Sequence, residues 1–247
     1  MATFYNTESI ITNGLTFYID MFNTKSYSGS GTKINDLSGS IGIAGGAKTA
    51  TIFSGLPFDS NQNGGAFRFE ADSGEYIRVD LLDSLMPTND LTTKNPFTFS
   101  MWIQRIGGGT IVSRASGNGS LQMRFAGAGA ISLVDSMVKN IGTFSNSTLQ
   151  TDKTYNITLT RASGTQVYKL YINGTTTNPD TGNTIGTLTY PGLGYTSKVT
   201  DTIGRNPNGE PLNAYVYAVS SYSRVLSDAE ILHNFNVFKN MNRYSNL

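Results

Sequence analysis

The sequence predicts an all-β protein: an antiparallel two-sheet jelly-roll sandwich with one short helix at its C-terminal end. Three observations predict it. Short runs of alternating apolar and polar residues recur between Gly, Asn and Asp turn signals almost throughout, as at Phe67-Arg68-Phe69-Glu70. One segment with helical spacing stands near the end, behind Ser227-Asp228-Ala229-Glu230. The composition, 38% hydrophobic with 13 Phe and 13 Tyr, can fill the space between two sheets. Only 14% of residues are charged, so exposed strand faces must be clothed largely with Ser, Thr, Asn and Gly.

The elements follow in order. Leu15-Thr16-Phe17-Tyr18-Ile19 comes after the turn dipeptide Asn13-Gly14, and residues 49–53 form a strand inside a Gly/Ser-rich stretch at 38–62. Residues 66–70 form another strand, and Tyr76-Ile77-Arg78-Val79 reads as its hairpin partner across Asp72-Ser73-Gly74. Strands are then expected at 97–103, 109–114, 121–125, 131–134 and 155–161. The strand at 167–172 ends at Asn173-Gly174, a strong turn dipeptide, and a last long strand spans 213–222. Residues 175–184 read as a polar, exposed and mobile loop, and 81–85 as a short helical turn stopped by Met86-Pro87. The terminal helix opens with a capping box, in which Ser227 accepts from the Glu230 amide and Glu230 reaches back. Ile231, Leu232, Phe235, Phe238 and Met241 then form one apolar stripe, expected to cover an open end of the sandwich.

A chain of 247 residues with no internal repeat and no compositional break is expected to form one domain over residues 1–247. The net charge of +1 and the absence of any block of like charges argue against nucleic acid as a partner. With no Cys there are no disulfides, thiolate metal sites or Cys nucleophile, and His233 is the only His, on the terminal helix. No basic start leads into an apolar signal core, and no apolar run of about 18 residues or more could span a membrane. The expectation is a soluble protein made in a cytoplasm without a signal peptide.

The ordered set of segments resembles the laminin G-like family of concanavalin A-like jelly rolls. Residues 66–69 with Glu75-Tyr76-Ile77-Arg78-Val79 are similar to a family hairpin, and Phe97-Thr98-Phe99-Ser100-Met101-Trp102-Ile103 to its central strand. Residues 154–161, followed by Lys169-Leu170-Tyr171-Ile172-Asn173-Gly174, resemble its paired strands. Ile203-Gly204-Arg205 and the run from Tyr222-Ser223-Arg224-Val225-Leu226-Ser227 into Asp228-Ala229-Glu230-Ile231 resemble its closing strand and helix. The N-terminal stretch is narrower. Gly14-Leu15-Thr16-Phe17-Tyr18-Ile19-Asp20, Ser26-Tyr27, Gly29-Ser30-Gly31-Thr32 and Asp36-Leu37-Ser38-Gly39 resemble a leader seen in such domains of tailed-bacteriophage virion proteins. That resemblance implies a non-enzymatic virion structural protein, a capsid decoration or a tail, neck or fibre component. Its implied partners are other virion proteins in symmetric multiple copies, together with host-surface glycans. A carbohydrate-binding module is the alternative implication.

Catalysis has one foothold, Glu70-Ala71-Asp72-Ser73-Gly74-Glu75. Concanavalin A-like glucanases use an E-x-D-x-x-E pattern, and retaining hydrolysis needs two carboxyls ~5–5.5 Å apart. Alternate residues share a face only in an extended segment, and Ser73-Gly74 reads as a turn, so Glu70 and Glu75 are read as structural and the chain as a non-enzyme. Many relatives of this fold bind Ca²⁺, and Asp20, Asp36, Asp59 and Asp72 lie in or near candidate loops, in no diagnostic spacing. Asp in a loop is more commonly a turn former. Glycan or partner contact would need exposed aromatic rings, for which Tyr27, Tyr190, Tyr195 and Tyr222 are the candidates.

Overall fold

The computed structural model describes residues 9–40, 48–79, 95–116, 119–135, 139–190, 200–206 and 209–240. The expected turn at 81–85 lies outside them. The first strands are β1 (Leu15–Asp20), β2 (Lys33–Asn35), β3 (Thr49–Phe53), β4 (Phe58–Asp59), β5 (Ala66–Phe69) and β6 (Tyr76–Val79). Then come β7 (Phe97–Arg105), β8 (Gly109–Ser116), β9 (Gly119–Ala126), β10 (Ala130–Asp135) and β11 (Lys139–Thr143). β12 (Thr154–Arg161), β13 (Val167–Ile172), β14 (Thr187–Thr189), β15 (Thr200–Ile203), β16 (Ala214–Tyr222) and helix α1 (Asp228–Asn240) complete the order.

The strands form two antiparallel eight-stranded sheets, as the sequence predicts. The first runs β14-β13-β12-β7-β16-β5-β4, with β1 also paired to β16; the second runs β11-β10-β9-β8-β15-β6-β3-β2. Alternation decides which side chains meet between them. Phe97, Phe99, Met101 and Ile103 of β7, Ile157 and Leu159 of β12, Leu121 and Met123 of β9 and Ile131 and Leu133 of β10 all belong to one buried apolar cluster. Their neighbours along each strand point the other way. The outer face of the first sheet thus carries Trp102, and that of the second carries Gln122 and Arg124.

Three expectations are corrected. β6 is not the hairpin partner of β5: β5 pairs with β16 and β4 in the first sheet, and β6 with β3 and β15 in the second. Residues 70–75 are therefore a corner between sheets. The Ser73 amide donates to the Glu70 carbonyl at 3.3 Å, and Gly74 takes φ +67°. A local turn signal cannot tell a hairpin from a corner, because both reverse the chain within the same few residues.

The helix is placed differently as well. Its capping box forms as expected, with Ser227 Oγ accepting from the Glu230 amide at 3.3 Å and the Ser227 amide donating to Glu230 Oε2 at 2.8 Å. It does not cover an end of the sandwich but lies on the outer face of the first sheet. Phe235 stacks on Trp102 with centroids 5.5 Å apart, and Phe238 lies 5.6 Å from the same ring. The buried stripe is Ile231, Phe235, Val237 and Phe238, whereas Leu232 is exposed and Met241 lies outside the described residues. Lastly, residues 175–184 form an exposed polar loop as expected, with Thr175, Thr177, Pro179 and 181–184 exposed, but they are tied down by a bridge between Thr177 and Thr184 and by a fully buried Asn178, whose amide donates to the carbonyls of Asn146 and Thr148. The backbone carbonyls that Asn178 grips come from a distant part of the chain, which composition cannot reveal.

Candidate functional site

Three of the four tyrosines expected to be exposed are buried. Tyr27 sits edge-on to Phe58 and near Phe67, 5.0 and 4.9 Å away, and its hydroxyl donates to the Gly31 carbonyl. Tyr190 belongs to the interior cluster. Tyr222 is on the outer face but under the helix; its hydroxyl accepts from Asn234 at 3.0 Å, and burial pushes the phenol up to about 12. None of the three offers a ring face to a ligand, and Tyr195 lies outside the described residues. Burial of a tyrosine depends on which sheet face or helix covers it, and periodicity alone does not supply that.

The acidic residues serve turns. Glu75 is buried and accepts from the Glu70 amide at 3.3 Å, while Glu70 is exposed on the other arm of the corner. The segment is not extended, so the strand geometry of an E-x-D-x-x-E pair is absent. Asp20 accepts from the Phe22 amide, Asp36 from the Tyr18 and Ser38 amides, and Asp59 from the Asn61 amide, at 2.7 to 3.0 Å. Asp72 is exposed at the corner. Among the described residues no three His, Cys, Asp or Glu side chains converge as a metal site. His233 Nε2 lies 2.9 Å from the Ser9 carbonyl and is paired with backbone.

A polar constellation lies across the outer face of the second sheet. Register aligns Lys33, Thr51, Arg78, Thr202, Ser113, Gln122 and Val134 in one row over seven strands. A neighbouring row holds Thr110, Arg124 and Ser132. The segment after β15 folds back onto these rows. Asn206, buried there, donates to Gln122 Oε1 at 2.9 Å and to Glu210 Oε2 at 2.7 Å, and accepts from the Glu210 amide at 3.1 Å. Glu210 in turn faces Arg124 Nη1 at 3.3 Å. The hydroxyls of Thr110, Ser113 and Ser132 are buried on this face without a hydrogen-bond partner, a condition that few buried polar groups tolerate.

At the end of this face opens a cleft of about 390 Å³, lined by Ala71, Gly108, Gly109, Arg124, Phe125, Glu210, Pro211 and Asn213. Its walls are joined through backbone. The Asn213 carbonyl accepts from the amides of Ile106 and Gly107 at 3.1 and 2.8 Å, and the Asn213 amide donates to the Gly108 carbonyl at 3.0 Å. Sequence reasoning missed these residues. The alternation Leu121-Gln122-Met123-Arg124-Phe125 does put Gln122 and Arg124 on the face away from the core, but nothing local ties either to Glu210.

A family model described as the concanavalin A-like lectin/glucanases superfamily matches residues 83–232. No curated protein matches the chain in sequence. Among solved structures it is similar to domain 4 of a GH43 extracellular arabinanase from Geobacillus stearothermophilus, solved with arabinotriose. The TM-score there is 0.61 at 15% identity, covering 88% of this chain and 96% of that one. It is also similar to the binding domain of botulinum neurotoxin serotype D, with TM-score 0.61, 16% identity and 92% of this chain covered, although it spans only 52% of that domain. A Trypanosoma rangeli sialidase mutant displaying trans-sialidase activity gives TM-score 0.61 at 16% identity, covering 95% of this chain and 34% of that one. At such identities the likeness is one of fold. With more than half its length matched by the family model and both sheets in place, the chain belongs to the concanavalin A-like lectin/glucanase superfamily.

Proposed function

We propose that the chain is a non-enzymatic adhesion and display domain over its whole length, carried in multiple copies on the virion of a tailed bacteriophage. It would form a capsid decoration or part of the tail, neck or fibre, made in the host cytoplasm, with a glycan or host-surface molecule as its target. The observation that carries the binding reading is the polar outer face of the second sheet, with its Gln122–Asn206–Glu210–Arg124 network. The helix already occupies the opposite face. The virion placement rests on the resemblance of residues 14–39 to phage leaders and on the Ser/Thr/Asn-rich surface. Repeated copies would turn weak contacts into avidity.

Mass spectrometry of purified particles should find the protein in stoichiometric amounts; its absence would remove the virion placement. Wild type should release no sugar from β-glucans. Hydrolysis abolished by Glu75→Gln in a folded protein would make the domain an enzyme instead.

A further inference from the structure

Resting on that binding reading, we infer that the cleft between the 107–109 loop, β9 and the 210–213 segment is the saccharide site, and that it takes a neutral sugar through the paired Arg124 and Glu210 side chains. Its volume of about 390 Å³ falls within the ~300–1,000 Å³ of small-ligand pockets. Its chemistry is mixed and balanced. Arg124 and Glu210 are the charged side chains of the lining, one of each sign, so the cleft offers an anion no net attraction and confronts it with a carboxylate. A sugar hydroxyl both donates and accepts, and so satisfies a carboxylate and a guanidinium at once.

The ion pair is open enough to admit one. Arg124 Nη1 stands 3.3 and 3.5 Å from the two Glu210 oxygens, against about 2.7–2.9 Å for a closed charge-assisted bond. The Arg124 and Glu210 side chains are 31% and 50% exposed, so a ligand can reach both. Asn206 is 3% exposed and fixes the carboxylate from beneath, which makes it a positioning residue.

The walls are preformed. Gly109 holds φ +107°, and a Cβ there would lie 1.9 Å from the Pro211 carbonyl oxygen, so the two loops touch through backbone. No aromatic platform is offered, since the Phe125 ring belongs to the interior cluster. Recognition is therefore by hydrogen bonds rather than ring stacking.

The test is a glycan array carrying neutral gluco-, galacto-, manno- and arabino-oligosaccharides beside sialylated and sulfated ones, probed with a tetramerised form of the whole chain. The best neutral binder is then titrated calorimetrically into wild type, Glu210→Gln, Arg124→Met and, on the opposite face, Lys169→Met. Neutral glycans should bind. Each cleft variant should lose about tenfold or more in affinity with its melting temperature held, and Lys169→Met should lose nothing. Should a cleft variant fold poorly, wild-type amide shifts decide: Gly108, Gly109, Glu210 and Asn213 must move on titration. Full affinity in both variants, unmoved amides, or a preference for acidic glycans would overturn the inference and leave the carbohydrate reading intact. Binding to no glycan at all would overturn both.

Discussion

Glu230 joins two structural tasks in one carboxylate. Arg224 grips it with both terminal nitrogens, at 2.9 and 2.6 Å, while the Ser227 amide donates to it at 2.8 Å. The Arg224 guanidinium, then the capping bond, hold its carboxyl down to about 2, from an ordinary 4.5. A carboxyl whose folded value lies below its unfolded value stabilises the fold fully above the unfolded value, and that contribution fades as pH falls from about 4.5 toward 2. Both partners are partly exposed, so solvent screening keeps the effect to about 1–2 kcal/mol. Glu230→Gln should therefore lower stability by that amount at pH 7 in denaturant titrations, and the gap from wild type should close by about pH 2. A gap that stays constant from pH 7 to pH 2 would mean that packing, not charge, sets the effect.

At the scale of the element, helix α1 is held by its first turn and by one aromatic face. Removing the cap in Ser227→Ala should cost about 1 kcal/mol, and Trp102→Ala, which empties the space under Phe235 and Phe238, about 3–5 kcal/mol. Trp102 is the sole tryptophan and is 2% exposed. Its emission thus reports on helix docking, and a red shift that precedes global unfolding would identify the helix as a separately detachable unit. The loop at 175–184 has a comparable anchor. Burial raises the Asp180 carboxyl, but bonds from Lys153 and the Tyr155 hydroxyl outweigh it and leave the group below its usual range. Asp180→Ala should speed amide hydrogen exchange at Asn178 and Ile185 by about tenfold or more, because the loop loses the side chain joining it to β12. Unchanged exchange would assign the anchoring to Asn178 alone.

For the whole molecule the two faces are unlike. One is covered by the helix and by the segment before β1, where the Ile11 amide donates to Asn234. The other is polar and carries the cleft. A chain without cysteine allows this asymmetry to be tested directly. Tethered to beads through Asn240→Cys at the helix end, the protein should retain glycan capture. Tethered through Gly108→Cys at the cleft rim, where a Cβ would meet only the Phe125 carbonyl oxygen, at an ordinary 3.8 Å, it should lose most of it. Equal capture from both tethers would place the binding surface elsewhere.

Much of this was readable from local pattern, because local pattern is set by short-range physics. Strand alternation, the Asn173-Gly174 turn with both residues at positive φ and the Ser227–Glu230 capping box depend on neighbours a few residues apart, so the class of fold and the helix start follow from sequence. The rest depends on residues distant in the chain. Whether the turn at 70–75 joins two strands or two sheets, and whether Tyr222 is bare or capped by a helix, is settled by packing between remote segments. So is the meeting of Arg124 with Glu210 and of Asn206 with Gln122. Sequence determined a two-sheet scaffold; tertiary structure decided which of its outer faces took the helix and which stayed polar and carries the cleft, because burial is a property of the assembled sheets and not of any stretch of chain.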